Sequence, residues 1–315
     1  MKRRTFLAIV AVLALVTMSC GLLGGGEDEN AEAPPSPTEP AGEAPTSPPE
    51  ATTPAESELP EAESPRVRPA DGMTALHVPA GEFLMGDDAS AFEPEKPAHL
   101  VYLDEYWIDR TEVTNAQYRA CVEAGVCPEP EFWWNEDLNG DDQPVLVPWE
   151  SAKTYCEWVG ARLPTEAEWE KAIRGTDGRV WPWGNEFEEN RANLSDDADG
   201  YGGTAPVGSF PGDVSPFGLL DAAGNAGEWV SDWFDREYYA HSPAQNPTGP
   251  AGGEQKVHRA PISNGGGGPE KCRCVARYGA DPSWEYGFRC VSTTPPEEEA
   301  ELPPSTEATP AAAVE

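Results

Sequence analysis

The sequence predicts an α+β domain with little regular secondary structure, flanked on both sides by disordered segments. The two ends of the 315-residue chain are rich in Pro, Glu, Ala, Ser and Thr. Short strand-like and helix-like patterns follow the first of these ends, and helical periodicity is largely lost after Gly175. We expect the later part to consist of long loops held by buried tryptophans and bound ions, because uninterrupted coil of that length is unusual.

The first 20 residues have the pattern of a bacterial export signal. Three basic residues precede an apolar run that is too short to span a bilayer as a permanent helix, and small residues then lead to Cys20. The sequence before Cys20 resembles a lipobox, in which the cysteine is lipidated and becomes the mature N-terminus, although Thr17 stands where Leu is usual. We expect an exported lipoprotein of the cell envelope, facing the periplasm or the cell surface and held at the membrane by lipid on Cys20. Ordinary signal cleavage is the alternative.

Composition divides the remainder into a tether, one folded domain and a tail. Residues 21–71 and 293–315 contain too few apolar residues to offset the entropy of ordering them, which predicts a disordered Pro/Glu-rich tether and a disordered acidic tail. Residues 72–292 are long enough to form a single core. The net charge of −35 argues against nucleic acid as a partner. We found no tandem repeat and expect a monomer.

The first elements of the domain are predicted to be β-strands. Residues 75–78 and 82–85 are short apolar runs separated by Pro79-Ala80-Gly81, which predicts a β-hairpin. Residues 100–108 alternate roughly between apolar and polar side chains, as expected of one half-buried strand.

Three helices are predicted next. Thr114 can cap a helix that runs to Glu123, and residues 149–159 carry apolar side chains at helical spacing. Thr165 and Glu168 form a capping-box pattern, and the helix they begin ends at Gly175.

Six cysteines remain once Cys20 is assigned to the export signal. An even number in an exported chain indicates disulfides, but spacing does not choose among the ~15 possible pairings. Cys121 and Cys127 flank a Gly-containing turn and predict a local bridge. Cys272 and Cys274 are separated by one residue, so a bridge between them would be strained; they pair elsewhere or stay as thiols.

Residues 217–234 are the strongest candidate for a metal site. Asp221 and Glu228 enclose a run of small residues that lets the backbone turn its carbonyls inward. Calcium binds six to eight carbonyl and carboxylate oxygens at roughly 2.3–2.6 Å. The alternative is a Gly-rich turn with solvated carboxylates. The four histidines are scattered without metal-ligand spacing, and no catalytic triad can be argued.

Six segments, in order, carry a family resemblance that covers nearly all of residues 73–292. They are IDRTEVTNAQYRACV (108–122), LPTEAEWEKAIRG (163–175), PWGN (182–185), GTAPVGSFP (203–211), FGLLDAAGNAGEWVSDW (217–233) and GFRCV (287–291). Together they resemble the formylglycine-generating enzyme family, also called sulfatase-modifying factors. The resemblance implies a formylglycine-generating-enzyme-like domain, distantly C-type-lectin-like, with bound calcium.

The resemblance also implies ligands and crosslinks. One calcium site matches Asp221, the carbonyls of Gly224 and Ala226, and Glu228; a second matches Asn193, the carbonyl of Leu194, Asp199 and the carbonyl of Tyr201. A family disulfide matches Cys156 and Cys290. Another would join Cys274 to the position of Ile173, which is not a cysteine, so Cys272 is the expected substitute partner.

The catalytic residues of the family are not matched. Its enzymes use molecular oxygen to oxidise a sulfatase cysteine to formylglycine, with copper held by two cysteines five positions apart. Asn264 and Pro269 occupy those positions, and Ala260-Pro261-Ile262 replaces the Gly-Gly-Ser stretch before them. We expect a catalytically degenerate, calcium-stabilised module that binds a peptide, a glycan or a partner protein.

The alternative is an oxygen-dependent oxidase with an atypical copper site. Cys272 and Cys274 are its candidate ligands and the only weak candidates for catalytic residues. A single intervening residue makes linear two-sulfur coordination of copper(I) difficult, which disfavours this alternative.

Overall fold

A computed structural model describes residues 63–194, 200–260 and 269–296, with the backbone of Glu298–Glu299. Cys20, the export signal, most of the tether and most of the tail lie outside the described residues. Within these ranges no helix has the length and apolar character needed to cross a membrane.

Short strands and three helices make up the regular structure of the described ranges. The strands are β1 (Arg66–Val67), β2 (Thr74–Val78), β3 (Gly81–Met85), β4 (His99–Leu103), β5 (Tyr106–Asp109), β6 (Glu228–Trp233), β7 (Lys256–Arg259), β8 (Arg277–Ala280), β9 (Gly287–Phe288), β10 (Val291–Ser292) and β11 (Glu298–Glu299). The α-helices are α1 (Asn115–Glu123), α2 (Trp149–Trp158) and α3 (Glu166–Arg174).

These strands form three sheets. One has the order β10-β5-β2-β1-β11, a second is the β3-β4 pair, and the third has the order β8-β7-β6-β9. All pairings are antiparallel except that of β6 with β9. The prediction of an α+β domain with little regular secondary structure is confirmed.

The predicted hairpin and the predicted single strand after it are both wrong. β2 and β3 do not pair: Leu76 of β2 lies opposite Ile108 of β5, and Leu84 of β3 lies opposite Leu100 of β4. Residues 100–108 are divided between β4 and β5, which belong to different sheets, at the exposed residues Asp104 and Glu105. β5 is buried on both faces, whereas β3 and β4 each expose one face. The chain therefore leaves the inner, five-stranded sheet after β2, forms the outer β3-β4 sheet, and returns to the inner sheet at β5.

The three predicted helices are confirmed, and side-chain caps mark the starts of α1 and α3. The Thr114 side chain accepts a hydrogen bond from the Gln117 amide, and Thr165 does the same for Glu168 in a capping box. Gly175 ends α3 with a φ of 75°, a conformation that favours glycine.

Two of the expected disulfides are present. Cys121 pairs with Cys127, and Cys156 of α2 pairs with Cys290, just before β10. The Cys272–Cys274 bridge is wrong, because both residues are buried thiols. They belong to different apolar clusters: Cys274 packs in the main core, and Cys272 packs beside Trp181.

Candidate functional site

Two arginines and two glutamates form a buried cluster where α3, β7 and β8 meet. Arg259 bonds Glu166 at 2.8 Å and Glu170 at 2.9 Å, and Arg277 bonds both carboxylate oxygens of Glu166 at 2.6 and 2.8 Å. None of the four side chains reaches solvent appreciably. Burial opposes ionisation of Glu166, but the two guanidinium groups outweigh it and lower the pKa of this carboxyl. Arg174 also lies 3.1 Å from Glu170, so guanidinium groups surround both carboxylates of this arginine–glutamate cluster.

Arg259 of this cluster also lies next to the start of the replaced catalytic segment. Its guanidinium donates to the carbonyl of Cys274 at 2.5 Å, and the next residue, Ala260, has a φ of 43°. Residues 261–268, including Asn264, lie outside the described residues. The chain is described again at Pro269, which begins a short 3-10 helix and has no side-chain donor or thiol. An ion-paired arginine just before the segment is thus tied to Cys274, which follows the segment in the chain.

Cys272 and Cys274 do not fit a copper site. Burial and the nearby Asp213 raise the pKa of the Cys272 thiol to about 12, and burial raises the pKa of Cys274 as well. Copper(I) binds thiolates, so each thiol would have to lose its proton in apolar surroundings, and the two thiols pack in different apolar clusters. The structure assigns both side chains to packing.

The two loops expected to bind calcium are packed against each other. The Asn225 amide donates to the carbonyl of Asn193 at 2.9 Å, and the Asn193 side-chain amide donates to the Asn225 side-chain oxygen at 3.1 Å. Gly224 has a φ of 89°, and a Cβ there would lie 2.1 Å from the Asn193 carbonyl oxygen. Glycine is therefore required for the close approach of the loops.

Asn193 supplies the observation that fits a cation. Its Oδ1 atom is buried and has no hydrogen-bond partner in the described part of the chain, although its Nδ2 donates to Gly203 and Asn225. Buried amide oxygens are normally bonded, and an amide oxygen is an accepted calcium ligand. Leu194 is half-buried and Tyr201 packs edge-on against Phe210, while Asp199 lies outside the described residues.

The other expected ligands lie among buried acids. Asp221 is 2 % exposed with a φ of 52°, and its Oδ2 accepts from the Gly208 amide at 2.7 Å. Burial raises the pKa of Asp221 to about 6. Both oxygens of Glu228 accept from Arg289, at 2.6 and 2.8 Å, and one also accepts from the Trp169 indole at 2.8 Å. Arg289 thus compensates the charge of Glu228 more directly than that of Asp221.

Two further acids lie near Asp221, and the sequence patterns did not point to them. Glu112 and Asp213 are buried, and Glu112 Oε2 and Asp213 Oδ1 have no hydrogen-bond partner among the described residues. Burial together with the charge of Asp221 raises the pKa of both carboxyls. No pattern in the sequence assigned them: Glu112 is remote from Asp221 along the chain, and Asp213 precedes the segment 217–234 that the small residues marked out. Within the described ranges, no three Asp, Glu, His or Cys side chains are arranged to hold a metal ion together, so a calcium site here needs carbonyl ligands.

A separate surface combines exposed aromatic rings with carboxylates. A cleft of about 230 Å³ is lined by Tyr118, Pro128, Glu129, Pro130, Glu131, Val147, Pro148, Ser151 and Glu285. Trp284, which is 58 % exposed, precedes Glu285, and Trp134, which is 74 % exposed, ends the 3-10 turn that Glu131 begins. Burial and the charge of Glu131 raise the pKa of Glu285. We call this surface, with its two tryptophans, the aromatic–acidic cleft.

Comparisons with known proteins agree with the architecture. Residues 61–294 match the sequence profile of the Sulfatase-modifying factor enzyme 1-like domain. The chain is 32 % identical to the formylglycine-generating enzyme of Bos taurus (72 % of this chain, 77 % of that protein) and 33 % identical to that of Streptomyces coelicolor (72 % and 92 %). It is also 32 % identical to a Mus musculus protein named inactive C-alpha-formylglycine-generating enzyme 2 (69 % and 85 %). Among solved structures, PvdO from Pseudomonas aeruginosa is similar with a TM-score of 0.64 and 28 % identity, over 74 % of this chain and 98 % of PvdO.

Proposed function

The chain belongs to the sulfatase-modifying factor family, and from this premise we propose that it is an envelope-anchored member that has lost formylglycine generation and acts as a calcium-stabilised binding module. The observation that carries the proposal is the replacement of the copper-binding cysteine pair by Asn264 and Pro269. The murine relative is by its name inactive, so loss of this activity has a precedent among proteins of similar identity.

The second candidate function is an oxygen-dependent oxidase that uses Cys272 and Cys274 as an atypical copper site. The identity to proteins named formylglycine-generating enzymes favours it. The burial of both thiols and their raised pKa values oppose it, because each would have to lose a proton inside an apolar cluster. We therefore derive no catalytic step from them.

Calcium would stabilise the module at two sites. Asp221, the carbonyls of Gly224 and Ala226, and Glu228 would hold one ion; Asn193, Asp199 and the carbonyls of Leu194 and Tyr201 would hold the other. The unpartnered oxygen of Asn193 and the buried acids beside Asp221 support this assignment. Bound calcium would neutralise excess negative charge and crosslink two loops with no regular secondary structure.

The aromatic–acidic cleft is the proposed binding surface. Exposed tryptophans supply large contact areas and are enriched among the residues that dominate binding energies. The lining contains three carboxylates and no basic side chain, so charge complementarity favours a protein segment with Lys or Arg over a glycan. Lipid on Cys20 and a tether of roughly 50 residues would let the domain search on the order of 40 Å from the membrane.

Peptide binding with a tryptophan double variant tests the proposal. An array of peptides from envelope proteins is probed with the calcium-loaded full-length chain, and bound peptides are expected to carry Lys or Arg beside apolar residues. Trp134→Ala combined with Trp284→Ala should weaken their binding by roughly thirtyfold or more, as expected where exposed tryptophans beside a cleft act as anchors.

Phe187→Ala is the matched control, since Phe187 is a 42 % exposed aromatic residue that is remote along the chain from every lining residue of the cleft. Its affinity should equal that of the unchanged chain. Unaltered binding by the double variant would contradict the assignment of the cleft.

A further inference from the structure

A larger cavity, of about 430 Å³, shares no lining residue with the aromatic–acidic cleft. It lies between the β4–β5 turn, the outer side of α2, the start of α3 and the loop after the 3-10 turn Tyr238–Ala240. We propose that this cavity binds a small organic cation: a ring-shaped apolar body that carries a protonated amine. The inference goes beyond the proposed function, because it concerns another site and another class of ligand.

The size and the apolar lining of the cavity indicate which kind of ligand would fit it. Leu103, Trp149, Leu163 and Pro247 line it, and its volume falls in the range of small-molecule sites, roughly 300–1,000 Å³. A space of this size has room for one ring system with a short side chain. A flat ring can pack against the Trp149 indole with offset or edge-on geometry.

The Trp149 side chain, which forms part of the cavity wall, is held in place by two neighbours. Its indole Nε1 donates to the carbonyl of Val230 at 2.8 Å, and Lys256 Nζ lies 3.8 Å from the Trp149 ring centroid. The same Nζ lies 3.8 Å from the Trp233 ring and donates to the Ser231 carbonyl at 2.7 Å. A wall fixed before binding lowers the entropic cost of ordering the site.

Both cations of the lining are already neutralised. Arg162 makes a two-pronged ion pair with Glu168, at 2.7 Å for each bond. Lys153 Nζ lies 3.2 Å from Glu157, which also lines the cavity, and 3.4 Å from Glu150. An anionic ligand would have to compete with these carboxylates.

Two carboxylates of the lining have no lysine or arginine partner in the described part of the chain. Asp104 and Glu105 form the exposed β4–β5 turn at the rim. Asp104 exchanges two hydrogen bonds with the Asn246 side chain, at 2.8 and 3.0 Å, which fixes the turn but brings no charge. Glu105 lies 3.5 Å from His77 Nε2, which is a cation only when protonated. The rim therefore presents negative charge beside an apolar floor, which is complementary to an amine on a ring.

The test compares 2-phenylethylamine with 3-phenylpropionate, which carry the same ring and opposite charges. Each is titrated into the full-length calcium-loaded chain, with calorimetry for affinity and the NMR signal of the Trp149 indole N–H for location. The amine should bind on the order of tenfold more tightly, and only the amine should shift that signal at equal concentration.

Two variants distinguish the contribution of the rim charge from that of the cavity shape. Asp104→Asn with Glu105→Gln should abolish the preference for the amine while keeping the hydrogen-bonding shape of the turn. Thr248→Trp places a large side chain at an exposed lining position and should abolish binding of both probes.

Three results would overturn the inference: equal affinity for the two probes, a preference that survives in the charge variant, or binding unaffected by Thr248→Trp. Absence of binding by either probe at millimolar concentration would also overturn it. Trp134→Ala with Trp284→Ala serves as the reference for the other site and should bind the amine normally. Failure of the cavity and failure of the aromatic–acidic cleft are thereby distinguishable.

Discussion

Glu166→Gln is expected to lower the free energy of unfolding by about 3–5 kcal/mol at neutral pH. The substitution removes the carboxylate that Arg259 and Arg277 share, and it leaves two buried guanidinium groups with Glu170 as the remaining carboxylate of the cluster. Removal of one partner from a buried ion pair is strongly destabilising, because the desolvated charge that stays behind is not compensated. Urea unfolding of the unchanged chain and the variant measures the difference.

The pH dependence of this difference has a defined sign. The folded state lowers the pKa of Glu166, so the stability it contributes is present above the unfolded value of about 4.3 and is lost as the pH falls through the folded value. The gap between the unchanged chain and Glu166→Gln should therefore narrow in acid. A gap that widens below pH 4 would contradict the ion-pair explanation.

Glu157→Gln is the matched control for Glu166→Gln. Glu157 also belongs to an ion pair, with Lys153 at 3.2 Å, but its side chain is 58 % exposed. Solvent-screened pairs contribute little, so this variant should stay within about 0.5 kcal/mol of the unchanged chain. A loss below about 1 kcal/mol for Glu166→Gln would show that the buried cluster is not needed for the fold.

Calcium removal is expected to cost about 4 kcal/mol of unfolding free energy for each site, relative to calcium at 1,000 times its dissociation constant. The physical reason is the buried negative charge of Glu112, Asp221 and Glu228, for which Arg289 is the nearby cation. Chelator titration followed by thermal unfolding measures the effect, and added calcium should reverse it.

Magnesium and one substitution provide the controls. Magnesium should not restore the lost stability, since it demands near-ideal octahedral geometry and sheds its water reluctantly. Asp221→Asn keeps an oxygen at the same position and should weaken calcium binding without abolishing the fold. A melting temperature independent of calcium and chelator would refute the proposed sites.

Local chemistry explains which parts of the fold could be predicted from the sequence. The starts of α1 and α3 depend on Thr114, Thr165 and the residue three positions later in each case, so capping patterns located them. The pairing of β2 with β5 joins residues about thirty positions apart. The short Pro-Ala connection after β2 instead led to the incorrect prediction of a hairpin with β3. Sheet partners are chosen by burial, which local alternation does not reveal.

The residues of the candidate site also divide into those that could be predicted from the sequence and those that could not. The loop at Asp221 could be located because its small residues are contiguous, whereas Glu112 reaches it only through the tertiary fold. The Cys156–Cys290 disulfide followed from family resemblance, since spacing alone left many pairings open. The role of Arg259 was missed because a buried arginine is recognised by its partners, and these lie on a different element.

Loss of formylglycine generation is tested most directly by mass spectrometry of a substrate peptide. The reduced full-length chain is incubated with copper(I), oxygen and a cysteine-containing peptide of the sulfatase type, beside a blank that contains copper but no protein. The predicted result is no conversion of the cysteine to formylglycine above the blank. Conversion that requires the chain and disappears with Cys272→Ser or Cys274→Ser would contradict the account.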